Sequence, residues 1–124
     1  MREIKFRVWD ADSTEMVVDG VGIDISGIAY VDNPLTDDST YYPDCPIMQN
    51  TGLKDKNGAE IYEGDIIWYG ITYANSKYMG EVVYDEAGFN LKSPIASELL
   101  PLWGASSIEV IGNIYSNPEL LEKP

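Results

Sequence analysis

The sequence predicts an all-β fold. It reads as a small SH3-like barrel over residues 51–124, with an N-terminal β extension and acidic loop over residues 1–50 and a short C-terminal helix. Three features predict it. The apolar runs are short, β-branched and aromatic, as in Ile66-Ile67-Trp68-Tyr69, which suits strands better than helices. Turn signals separate these runs at roughly the eight- to twelve-residue spacing of sandwiches and barrels. No long stretch places apolar residues at the helical period. At 124 residues, such a chain buries roughly two-thirds of its unfolded surface, enough for a core without staples.

The stretch from Thr51 to Tyr69 organises the rest. Asp55-Lys56-Asn57-Gly58 has turn chemistry at each position: Asp can bond amides two residues on, Asn tolerates the third place, and Gly supplies a positive φ. Two registers fit, a type I turn closed by a glycine bulge and an Asn-Gly type I′ turn. Ile61 and Tyr62 lead away from the turn, Glu63-Gly64-Asp65 breaks the run, and Ile66 to Tyr69 is the next strand. Asp-Lys-Asn-Gly also occurs in calcium loops, but the register fails. With Gly58 at loop position 6, the first and last ligand positions fall on Leu53 and Gly64, neither of which carries a side-chain oxygen.

The remaining elements follow in order. Ile4 to Trp9 alternates as a half-buried strand, Asp10 to Ser13 turns, and Met16 to Val18 returns. Asp10, Asp12 and Glu15 read as a solvated loop, since no glycine or distal ligand completes an ion site. Val21 to Val31 gives two short strands around Ser26-Gly27. Gly20-Val21-Gly22 lacks the third glycine and the helix of a dinucleotide site. Residues 33–46, rich in Pro, Asp and Asn, read as a long loop that is either mobile or used for binding. A turn is expected at Asn75-Ser76, strands over Tyr78 to Tyr84 and Phe89 to Leu91, and a turn between them. Ser97 caps a short helical turn through Glu98-Leu99-Leu100, which Pro101 ends. Ile108 to Tyr115 is the last strand, with a bulge or bend at Gly112. Asn117-Pro118-Glu119 carries an N-cap, a first-turn proline and an acid, predicting a short helix.

Three segments together resemble one known family. QNTGLKDKNGAEIYEGDII, EVIGNIYSNPELL and the opening MREIKFRVWD resemble the YopX family of phage and prophage proteins, in matching order. The likeness departs at Asn50, where the family usually has an aromatic residue, and over Val21 to Pro46. It implies the SH3-like barrel and phage or prophage origin, and it carries no established activity.

Composition narrows the chemistry. The net charge is −13 and there is no histidine. Neutralising phosphates needs clustered Lys and Arg, so direct nucleic-acid binding is not expected. From Val8 to Leu53 there are nine acids and no base. Cys45 is alone, which excludes an internal disulfide and suits a reducing cytoplasm, that of a bacterial host. No apolar run approaches the roughly 20 residues of a membrane span, and no signal segment opens the chain. Without histidine the usual general base and zinc ligand are missing, and no metal or cofactor site is expected. Glu63 and Asp65 are the best-placed carboxylate pair, yet turns collect such residues for backbone bonding, so no enzyme is expected. Aromatics are the remaining resource: three Trp and nine Tyr against two Phe. Trp68, Tyr69, Tyr78 and Trp103 suit either a core or an interface, and Tyr41-Tyr42 either packs over the barrel or anchors a partner. The expected function is therefore a non-enzymatic module binding an unidentified protein partner or a second copy of itself. The alternative is an acidic decoy for a nucleic-acid-binding site on a host protein.

Overall fold

The computed structural model describes residues 4–71, 77–85, 88–92, 100–101 and 105–121. Strand makes up 60% of it, and among the described residues no helix reaches seven residues, so the all-β expectation holds. The chain divides into two compact units, residues 1–50 and 51–124.

In the first unit β1 (Phe6–Asp10) is paired antiparallel with β2 (Glu15–Val17) and with the first half of β6 (Ile47–Lys54). Its centre, Val8, stands opposite both Val17 and Ile47 and has no exposed surface. A separate meander joins β3 (Val21–Ile23), β4 (Ala29–Asp32) and β5 (Ser39–Tyr42) in that order. The strand β5 corrects the reading of residues 33–46 as one long loop. Ser-Thr-Tyr-Tyr is good strand sequence, and its pairing with β4 overrides the surrounding prolines and acids. The connection that remains is Asn33–Asp38, where Asn33 Oδ1 accepts the Leu35 amide at 2.9 Å.

In the second unit β6 passes by its turn to β7 (Glu60–Tyr62), and a corner at Glu63-Gly64 sends the chain into a five-stranded sheet. That sheet has the order β11-β10-β9-β8-β12, built from β8 (Asp65–Ile71), β9 (Lys77–Asp85), β10 (Gly88–Lys92), β11 (Leu100–Pro101) and β12 (Ala105–Asn113). It curls as a half-barrel over a core of Ile61, Ile67, Tyr69, Val82 and Leu91. Leu100 is thus in a strand opposite Leu91, not in the helical turn expected there; the rest of that turn, residues 97–99, and the Asn75-Ser76 turn lie outside the described residues. A propensity for a short helix loses to a strand edge needing a partner. The C-terminal helix is one 3-10 turn, Pro118–Leu121, held by the Leu120 amide donating to the Asn117 carbonyl at 3.1 Å.

Local chemistry explains the turns. The Gly58 amide donates to the Asp55 carbonyl at 3.0 Å and the Asp55 amide to the Ala59 carbonyl at 2.8 Å. Gly58 has φ of 85°, while Lys56 and Asn57 keep negative φ. This selects the type I turn with a glycine bulge over the type I′ alternative. Asp55 Oδ1 accepts the amides of Asn57 and Ala59, each at 2.9 Å. Asp24-Ile25-Ser26-Gly27-Ile28, between β3 and β4, repeats the pattern. Asp24 Oδ1 accepts Ser26 at 2.8 Å and Ile28 at 3.0 Å, and Gly27 has φ of 84°. One turn design therefore serves two hairpins.

Gly112 marks the expected bulge, since the β8–β12 register shifts between Val110 and Gly112. A Cβ on Gly112 would lie 2.5 Å from Asn117 Oδ1 and 3.1 Å from Asn117 Cβ. Asn117 in turn accepts the Asn113 amide at 3.3 Å. We expect Gly112→Ala to displace the C-terminal turn and lower stability by about 1–3 kcal/mol, the usual cost of overpacking. Urea denaturation measures it, and an unchanged midpoint would contradict this packing.

Candidate functional site

The alternation of β8 sorts the aromatic candidates onto two faces. Residues opposite one another on neighbouring strands share a face, and Tyr69 stands opposite Tyr78. Tyr69 is 5% exposed, its ring 5.8 Å from that of Tyr78. Gly80 leaves space for it, because a Cβ there would meet Tyr69 Cε1 at 3.1 Å. Of the two roles the sequence allows Tyr69, core and interface, its side chain occupies the core. Tyr78 is half-buried against the same cluster.

Trp68 points the other way. It stands between Met79 on β9 and Glu109 on β12 and is 38% exposed. The adjoining row places Ile66 between Glu81 and Gly112, with Lys92 beyond Glu81. Burial raises the Glu81 carboxyl above its usual range, and the Lys92 charge pulls the other way without cancelling it. Glu109 accepts from Asn57 Nδ2 at 3.4 Å and lies 3.7 Å from Lys56 Nζ. At Trp68 this face thus presents an exposed indole beside a half-buried thioether and carboxylate, while at Ile66 it is fully buried. It suits apolar docking with a polar rim.

In the first unit Tyr41 and Tyr42 separate. Tyr42 stands opposite Ala29, which is fully buried, whereas Tyr41 stands opposite Tyr30 and is 54% exposed. The Tyr30 and Tyr41 rings are 5.7 Å apart, and Tyr30 covers Gly22, where a Cβ would lie 2.8 Å from its Cζ. Trp103 lies outside the described residues. Sequence reasoning passed over Tyr84, 56% exposed and edge-on to Phe89 at 5.1 Å, and Tyr30. A tyrosine opposite a strand glycine was the available signal for Tyr30.

Asp10, Asp55 and Asp65 are committed to backbone amides. Asp65 is 2% exposed and its Oδ2 accepts the Tyr62 amide at 2.8 Å; Gly64, at φ of 85°, makes that corner possible. Asp10 Oδ1 accepts the Asp12 amide at 3.1 Å. Asp55 is the most heavily used. Beyond its two turn bonds, its Oδ2 accepts the Val110 amide at 2.9 Å, and the Lys56 amide donates to the Ile108 carbonyl at 3.0 Å. The turn is thereby stapled to the outer edge of β12. Burial would raise the Asp55 carboxyl, but bonds from Val110, Ala59 and Asn57, aided by the Lys56 charge, hold it below the usual range. Among the described residues, no three acidic or thiol side chains gather as a metal site would require. None of the described helices is long and apolar enough to cross a membrane.

The family model described as YopX protein matches residues 5–122. The chain belongs to the YopX family. The match runs through Val21 to Pro46, where the sequence segments showed no likeness. Protein EF1440 from Enterococcus faecalis, a crystal structure, is similar to this YopX-family chain at 32% identity with a TM-score of 0.65, covering 98% of this chain and 99% of that one. Protein yopX from Bacillus subtilis, an X-ray crystal structure, is similar at 24% identity with a TM-score of 0.69, covering 100% and 99%; at that identity the likeness concerns the fold. No curated protein matches the chain.

Proposed function

We propose that this YopX-family chain is a non-enzymatic interaction module encoded by a phage or prophage. It acts in the cytoplasm of a bacterial host and binds a protein partner, or a second copy of itself, by apolar docking. One observation carries the reading: Trp68 stands in mid-strand on the face opposite the Ile67–Tyr69 core cluster, flanked by Met79 and Glu109, and is 38% exposed while Ile66, two residues before it on that face, is fully buried. Tryptophan on a rigid, partly desolvated surface is a common binding anchor. The commitment of Asp55 and Asp65 to backbone amides supports the absence of catalysis.

The test is capture from bacterial lysate with wild type and Trp68→Ala, at low and high salt, after matching their unfolding curves. We expect a partner retained at high salt and reduced by more than about tenfold in the variant. Equal capture by both proteins, or a variant that only unfolds, would remove Trp68 from any interface.

The second reading, an acidic decoy on a nucleic-acid-binding host protein, is favoured by the placement of the acids. Of the nine between Val8 and Leu53, all but Asp10 and Asp24 are exposed. Such binding is salt-sensitive. In the same experiment a nucleic-acid-handling protein lost at high salt supports it, and affinity unchanged by salt counts against it.

A further inference from the structure

We infer that β5 is a docking strand for an extended basic peptide, which adds beside it as a fourth strand of the β3-β4-β5 sheet. The strand Ser39–Tyr42 ends that sheet. Its backbone partner among the described residues is β4, and Ser39, Thr40 and Tyr41 are exposed. Edge strands offer a row of outward amides and carbonyls, which proteins ordinarily cover or blunt with lysine. The edge of β12 is covered in this way, by the Asp55 carboxylate and the Lys56 amide. Among the described residues no other backbone hydrogen-bonds along the β5 edge, and the strand carries no lysine.

The side chains beside it specify the guest. One face carries the row Gly22, Tyr30, Tyr41 and, two residues along, the row Asp32, Ser39, where the Ser39 hydroxyl donates to Asp32 Oδ1. A strand added to β5 continues both rows. It places one side chain beside the Tyr41 ring and the side chain two positions away beside Ser39 and Asp32. Asp37, Asp38 and Asp44 flank the edge, and no base occurs between Val8 and Leu53. Arginine at alternate positions meets every requirement: a guanidinium over the exposed Tyr41 ring, a second one near Asp32, and backbone pairing along the edge. A second copy of this chain would bring acids against acids, so it is the wrong occupant.

Resting on the reading of the chain as an interaction module, this edge is a surface distinct from Trp68. The test uses the full chain and three synthetic peptides: alternating arginine and valine, alternating glutamate and valine, and alternating arginine and proline. The last keeps the charge but pairs poorly as a strand, because each proline donates no N–H and holds φ at about −65°, away from extended strand geometry. We expect the arginine-valine peptide alone to slow amide exchange, with the effect confined to residues 38–43. Tyr41→Ala should weaken its binding by about tenfold. Equal binding of the arginine-proline peptide, protection elsewhere, or protection that rises with protein concentration in the absence of peptide would each overturn the inference. Capture through Trp68 with no protection at β5 sinks the edge alone, and protection at β5 with capture indifferent to Trp68 sinks the other surface alone.

Discussion

Replacing Asp55 by alanine is expected to lower the unfolding free energy by about 3 kcal/mol. One buried carboxylate accepts three backbone amides, from Asn57, Ala59 and Val110. Charge-assisted bonds of this kind contribute roughly 1.5–3 kcal/mol each and are not additive. Two of the orphaned amides sit in a turn that water reaches, which keeps the total below the simple sum. Asp55→Asn should cost nearly as much, because its amide group would face the Val110 N–H, donor against donor. Asp24→Ala is the internal control. It disrupts the same turn but removes two bonds in a more exposed hairpin and no strand staple, so about 1 kcal/mol is expected. Urea denaturation measures all three, and equal costs at Asp24 and Asp55 would contradict the staple to β12.

The same carboxylate sets a pH dependence. Its folded value lies below the ordinary one, so the folded state favours the ionised form. The contribution is complete above the ordinary aspartate value, about 3.9, and is lost as pH falls through the lowered folded value. The stability gap between wild type and Asp55→Ala should therefore be constant near neutrality and narrow below about pH 4.

Tyr69→Ala is expected to be at least as damaging, costing about 3–5 kcal/mol, whereas Trp68→Ala next to it should cost about 1–2 kcal/mol. The contrast follows from the strand. Tyr69 is packed on Tyr78 over Gly80 inside the core cluster. Trp68 lies on the opposite face with over a third of its surface in water. Truncating the first leaves a cavity the size of a ring, and truncating the second mainly removes contacts with Met79 and Glu109. Thermal and urea unfolding of the two variants check it. Equal losses would mean that the face assignment is wrong, and would also disqualify Trp68→Ala as a clean binding variant.

What the sequence made legible was local. Asp55-Lys56-Asn57-Gly58, Gly64 and the Gly112 bulge were readable because each turn is specified by the φ and side-chain acceptors of a few neighbouring residues. A strand over Ile66 to Tyr69 makes Trp68 and Tyr69 face opposite ways, but the sequence left both equally suited to core or interface, because nothing local says which face the core takes. That depends on Ile61, Val82 and Leu91, contributed by three other strands. The third bond of Asp55 reaches a residue 55 positions away, and no periodicity announces such a partner. Two strands were hidden for the same reason. Ser39–Tyr42 needed β4 beside it to outweigh the flanking prolines and acids, and Leu100–Pro101 is a strand through its pairing with β10. The candidate aromatics were chosen by residue type alone, so the split between buried Tyr69 and exposed Trp68 and Tyr41 waited on the fold.

The central claim, that the Trp68 face is where a protein partner docks, is tested most directly by photo-crosslinking in bacterial cells. A photoreactive amino acid takes the place of Trp68 in one protein and of Lys54, exposed on β6, in another. A discrete adduct of defined mass is expected from position 68 and none from position 54. No adduct from position 68, or the same adducts from both positions, would contradict the claim.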